Sequence, residues 1–299
     1  MDNNRNLFIT IILSVVILAA WQILYIGPKM EAERQAQIEQ QATETAQTPE
    51  AGGTTPQATP GVDGAAAPAT SETANVPEAG RITIDTPTLT GSINLAGARF
   101  DDLKLKQYRE TIKKDSAIVT LLSPSGDAEG YFGEFGYVGD GAPSADTIWQ
   151  APEGATLTVD TPVELTYSAP NGLLFKRTIS VDDQYMFDIK DTVTNNSGGA
   201  VSLQEYGRVT RYFKPEKPPI YVLHEGLIGV TGTEGLTELK FTKIEDEKAV
   251  TPGKSTDGWL GMTDKYWAVT VIPEDGKAFQ PRYSYFTDGR ARYQADFLT

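Results

Sequence analysis

The sequence has no cysteine and a single histidine, His224, among 299 residues. Without cysteine there can be no disulfide, thiolate nucleophile, thiolate zinc site or iron–sulfur cluster. One imidazole cannot supply a zinc site that needs two or three. Positive charge is also scarce, with 26 Lys and Arg against 40 Asp and Glu, a formal net charge of −14. That sign does not suit a phosphate backbone, which argues against nucleic acid as a partner. The nucleophile elbow G-x-S-x-G is missing, as are the phosphate cradles G-x-x-x-x-G-K-[ST] and G-x-G-x-x-G. Long apolar runs are limited to one.

That run is Leu7–Ile26, 20 residues without a charge. At about 1.5 Å of rise per residue it reaches roughly 30 Å, the thickness of a hydrocarbon core. The anchoring side chains are Leu7, Phe8, Ile11, Ile12, Val15, Val16, Leu18, Trp21, Leu24 and Tyr25. Trp21 and Tyr25 sit where an interfacial aromatic belt belongs, and Gly27-Pro28 closes the helix. A cleaved signal peptide has a shorter apolar region and a small-residue cleavage site, and neither is present. Residues 1–28 therefore read as an uncleaved transmembrane signal anchor. The flanking charges, Arg5 before it and Lys29 and Arg34 after it, nearly balance. The short N-terminal tail, and a following part that looks like an exported domain, place the N-terminus in the cytoplasm and the residues after about 28 in a periplasm-like compartment.

Residues 29–41 are rich in helix formers and read as a short helical extension. Residues 42–80 contain no aromatic residue, Lys or Arg, and consist mostly of Ala, Thr, Pro, Gly and Glu. Such a segment buries too little apolar area to offset its ordering entropy, so a disordered linker is expected, spanning roughly 35 Å as a loose coil. Residues 81–299 carry 23 Lys and Arg against 31 Asp and Glu and alternate with period 2. Strands are read at Arg81–Asp85, Leu103–Lys106, Leu157–Val159, Val163–Tyr167, Leu173–Val181, Met186–Val193, Trp267–Ile272, Tyr283–Phe286 and Tyr293–Phe297. Asn171-Gly172 and Asp288-Gly289 read as type I′ hairpin turns. The expectation is an all-β domain, a large antiparallel sandwich.

Candidate chemistry is sparse. A Ser-His-acid arrangement would have to use His224, and no partner Ser is marked by spacing. The glycine-rich stretch Gly130–Gly141 reads as a strand edge or mobile loop. Asp101-Asp102, Asp182-Asp183 and Glu245-Asp246-Glu247 match no EF-hand and read as solvated turns. Gly258–Ile272 is the densest segment, with Trp259, Tyr266 and Trp267 around Asp264-Lys265. Its plainer reading is a turn carrying an Asp264–Lys265 ion pair that leads into a buried strand. The sharper one is an aromatic platform for sugar or peptide.

The same segment, Trp259–Trp267 (WLGMTDKYW), resembles the periplasmic domain of the YidC family of bacterial membrane protein insertases. In the same order, Met1–Ile26 resembles that family's first transmembrane helix and Gly91–Thr111 its early periplasmic strands. Asn171–Met186 and Leu223–Gly229 (LHEGLIG) also fit, in an alphaproteobacterial style. The resemblance implies a β-supersandwich, galactose-mutarotase-like in fold, between the first and second membrane helices. It implies insertion of membrane proteins, with and without the Sec translocon, by five later helices that form a hydrophilic groove in the bilayer. The implied partners are inner-membrane lipid, the Sec translocon with its accessory subunits, and nascent membrane proteins. No cofactor is implied.

No second apolar run of about 18 residues follows Ile26, and Asp296–Thr299 reads as stopping inside a strand. The expectation is the anchor and periplasmic scaffold of an insertase, without its core. The family-motif positions are His224, Glu225, Gly226, Trp259, Gly261, Asp264, Lys265, Tyr266 and Trp267, expected to be structural, with no catalytic, cofactor or metal residue assigned. Mutarotase chemistry needs a general acid and base, and strand neighbours such as His224 and Glu225 would face opposite ways. The other open reading is an anchored carbohydrate- or peptide-binding module.

Overall fold

The computed structural model describes residues 79–215 and 224–299. The anchor positions Leu7–Tyr25, the 29–41 extension, all but the last two residues of the 42–80 segment, and Leu223 lie outside the described residues. Among the described residues no helix is long and apolar enough to cross a membrane.

The chain runs through β1 (Arg81–Asp85), β2 (Leu89–Asn94), β3 (Arg99–Arg109), β4 (Ile118–Leu122), β5 (Tyr131–Val138) and the short β6 (Thr156–Leu157). Next come β7 (Val163–Ser168), β8 (Leu173–Val181), β9 (Phe187–Asn195) and β10 (Gln204–Arg211). Then follow β11 (Gly226–Thr231), β12 (Gly235–Lys240), helix α1 (Phe241–Glu247) and β13 (Ala249–Val250). The rest is β14 (Gly258–Thr263), β15 (Ala268–Val271), β16 (Gln280–Phe286) and β17 (Arg292–Leu298).

A ten-stranded sheet is ordered β13-β16-β17-β10-β5-β3-β2-β1-β6, with β4 beside β3. A four-stranded sheet runs β12-β11-β14-β15 and a three-stranded one β7-β8-β9. The pairings are antiparallel except β1 beside β6, which is parallel. Both small sheets pack on one face of the large sheet, which makes an all-β sandwich. In β8 the burial alternates strictly, with Leu173, Phe175, Arg177, Ile179 and Val181 inward. Phe175 lies against Tyr137 of the large sheet at 5.6 Å between ring centroids, and Phe187 of β9 meets Phe100 edge-on at 5.2 Å. From the other small sheet Leu260 and Met262 of β14 are fully buried. Burying each such side chain contributes roughly 1.5–3 kcal/mol.

Two buried arginines fasten the small sheets. Arg177, with no exposed side-chain surface, grips Asp191 with two hydrogen bonds (2.8 and 2.7 Å) and donates to the Phe135 carbonyl of β5 at 2.9 Å. Arg211 at the end of β10 pairs with Asp264 at 2.7 Å and lies over the rings of Tyr131 and Phe213. The opposite face of the large sheet holds a polar layer that is equally buried. There the Glu134 carboxylate sits between Arg208 (2.5 Å) and Arg99 (3.3 Å).

Several local expectations are corrected. Gly130–Gly141 is neither an edge nor a loop over most of its length, because β5 lies between β10 and β3 inside the sheet. Asp101-Asp102 is in mid-strand; Asp101 is buried against Arg81, and Asp102 accepts from Ser92. Glu245–Glu247 falls in α1, where Glu245 accepts from Lys214 and from the Tyr293 hydroxyl. The turn after β7 is not type I′. Pro170 sets the second position of an Ala169–Gly172 turn, the Gly172 N–H donates to Ala169 O, and only Gly172 takes a positive φ, of 92°. At Asp288-Gly289 the connection is the wider loop between β16 and β17, with only Gly289 at positive φ.

Candidate functional site: a cleft between two strand edges

The two small sheets lie side by side and present their edge strands, β9 and β15, to a cleft of about 920 Å³. Its floor is the large sheet, with Phe100, Leu103, Phe135, Val209 and Phe297 among the lining side chains. One wall is Tyr185–Asp191 and the other Trp267–Glu274. Apolar side chains stand exposed at the mouth: Tyr108 at 43%, Met186 at 54% and Ile272 at 50% of their surface. Trp267 packs edge-on against Tyr108 at 4.7 Å. Tyr185 adds a backbone anomaly, a φ of 99° that a bulky residue rarely adopts.

The charged residues lining the cleft are Asp188, Lys190, Asp191, Glu205, Glu274 and Lys277. Asp191 is held by Arg177 beneath the β9 wall, and Glu205 pairs with Lys277 at 3.1 Å. Burial pushes the Tyr137 phenol upward, and the nearby Asp191 and Glu205 carboxylates push it further. It therefore stays protonated across the physiological range and acts only as a neutral hydrogen-bonding group.

The backbone supplies what the side chains do not. The Asp264 N–H donates to Trp267 O at 2.7 Å, closing the β14–β15 hairpin. Alternation along an antiparallel pair then turns the N–H and C=O groups of Ala268, Thr270 and Ile272 away from β14. On β9 the Asp182 N–H donates to Met186 O at 3.0 Å, and the same alternation turns out the groups of Phe187, Ile189 and Asp191. Neither edge has a strand beside it among the described residues.

The family-motif positions do not form one constellation. Trp267 lines the cleft, and Asp264 fixes its β14–β15 hairpin through Arg211 rather than through Lys265. Lys265 instead lies over the Tyr266 ring at 4.7 Å, and Tyr266 is 69% exposed. Trp259 is the second residue of β14, opposite Val230 and about 17 Å along the strand from the Asp264 turn, so it shares no platform with Trp267. Gly261 is required where it stands, because a Cβ there would meet Val269 O at 2.0 Å. Gly226 begins β11, and His224 and Glu225 precede that strand rather than lying on it. The His224 Nε2 is 3.1 Å from Leu227 O, which as acceptor fixes the proton on that nitrogen. No carboxylate pairs with His224, and no metal-ligating cluster occurs among the described residues.

A family model described as "YidC periplasmic domain" matches residues 81–299. The chain is 53% identical over 313 residues to "Membrane protein insertase YidC" of Mesorhizobium japonicum, covering 100% of this chain and 52% of that protein. It is 55% identical to the protein of that name from Rhizobium etli, over 99% of this chain and 51% of the relative. With the Brucella melitensis protein the identity is 49%, over 100% and 52%. The chain spans about half the length of the curated relatives it matches.

Proposed function

Since the chain belongs to the YidC family of membrane protein insertases, we propose that residues 81–299 are a periplasmic docking module and that the cleft is its working surface. The carrying observation is an apolar floor between two strand edges that have no strand beside them among the described residues, beneath a mouth of exposed Tyr108, Met186 and Ile272. Such a surface receives chain rather than performing bond chemistry. Insertion itself is assigned to the remaining half of the relatives' length, with nascent membrane proteins as clients. The Sec translocon and its accessory subunits are the proposed neighbours at the membrane.

The anchor at residues 7–26 and the composition of 42–80 support a domain held near the outer surface of the inner membrane, with the N-terminus in the cytoplasm. The nine motif positions serve this module structurally: Asp264 and Gly261 shape the hairpin that carries Trp267 to the cleft.

Site-specific photocrosslinking in the intact insertase tests this reading. A crosslinker replacing Met186 should capture a translocating polypeptide or a Sec subunit in inner-membrane vesicles. One replacing Ile112, fully exposed and outside the cleft lining, should capture neither. Equal capture at both positions, or none at either, removes the cleft from the function.

A further inference from the structure

We infer that the cleft takes an extended polypeptide segment by strand addition to β15, an inference that rests on the docking reading above. Strand addition needs an edge with unpaired N–H and C=O groups, a floor for alternate side chains, and room for one strand.

β15 is the accepting edge. Its sequence, Ala268-Val269-Thr270-Val271 followed by Ile272, is uncharged and largely β-branched, and Pro273 bounds it. Edges that must stay unpaired are ordinarily guarded by charge or proline. β9 is guarded in this way by Asp188, Lys190 and Asp191, so it forms a wall. The space also fits. At about 3.3 Å of rise, about 4.8 Å between strands and about 10 Å between layers, a strand residue occupies roughly 160 Å³. The 920 Å³ cleft therefore holds about six residues. The open groups of Ala268, Thr270 and Ile272 match an edge of that length.

The occupant's chemistry follows. Every second side chain would face Phe100, Leu103 and Phe135, and must be apolar. The alternate side chains would face solvent and can be polar. A helix would leave the β15 edge unpaired, and a sugar or acyl chain has no backbone to pair with it.

The test uses the full 299-residue chain in lipid nanodiscs, with Trp21, Trp149 and Trp259 replaced by Phe so that the signal is that of Trp267, and follows its fluorescence on titration with a peptide of alternating Val and Thr between terminal lysines. Saturable binding is expected. Methylating every backbone nitrogen of the peptide should weaken it at least tenfold. Thr270→Pro should do the same with the fold intact, because that N–H faces the open edge and leaves no ladder bond to lose. Since the methylated peptide needs no protein variant, a misfolded Thr270→Pro would not rescue the idea. Equal binding of the methylated peptide overturns strand pairing, and so does binding of acyl chains or sugars but not peptide. If Met186 still captures polypeptide in vesicles, only the pairing fails; if it captures nothing, the docking reading fails with it.

Discussion

Arg211 is a cation almost without solvent, placed between the Tyr131 and Phe213 rings and discharged by Asp264. Removing it as Arg211→Ala would strand a carboxylate that is only a quarter exposed and free a hairpin that carries part of the cleft wall. A loss of about 3 kcal/mol is expected in denaturant unfolding. Glu134 makes the pH dependence. Burial by itself would lift its carboxyl, but Arg208 and Arg99 outweigh that and hold it below the usual carboxylate range. A group depressed in the folded state stabilises fully above its unfolded value of about 4.3. That contribution is lost as the pH falls through the folded value. The thermal midpoint should therefore drop steeply below about pH 4. Glu134→Gln should be less stable at neutral pH and show a flatter acid limb; an unchanged limb would assign it to other carboxylates. Tyr185 stores strain at the cleft mouth. Tyr185→Gly should raise stability by about 1 kcal/mol by relieving its φ, while weakening peptide binding through loss of the ring.

The β14–β15 hairpin shows how little room an element can have. Because the carbonyl of Val269 and the Cα of Thr270 crowd Gly261, Gly261→Ala should force the two strands apart at a cost of about 3 kcal/mol. The change should appear as faster amide exchange in β15 before any change in β8.

Legibility in the sequence also divides by element. β8 was readable to the residue because one of its faces is inward and the other outward, so Leu173–Val181 alternates cleanly. β5 and β10 were not. Both of their faces are buried, and the polar layer puts Glu134 and Arg208 where apolar residues would have marked a strand. The all-β class and the family were legible; the cleft was not. It is made from the backbone edges of two strands 80 residues apart in the chain, and backbone groups leave no trace in residue identity.

At the scale of the whole molecule, two small sheets stand on one large one, each fastened by a single buried arginine. They should loosen separately. Arg177→Ala is expected to raise exchange across β7, β8 and β9 as a block, with β11 and β14 still protected; simultaneous loss in both would show one cooperative unit.

The placement of β17 has a consequence in time. Residues 292–298 are made after those of the other sixteen described strands, yet they lie between β10 and β16 inside the large sheet. As the chain emerges, β10 can pair with β5 on one side only, and β16 with β13 has nothing to join. The large sheet is thus two unfinished pieces until residue 298 clears the ribosome, and one thereafter. A nascent chain halted with Arg292 still inside the ribosome should remain protease-sensitive around β10, and one in which residue 299 has emerged should not.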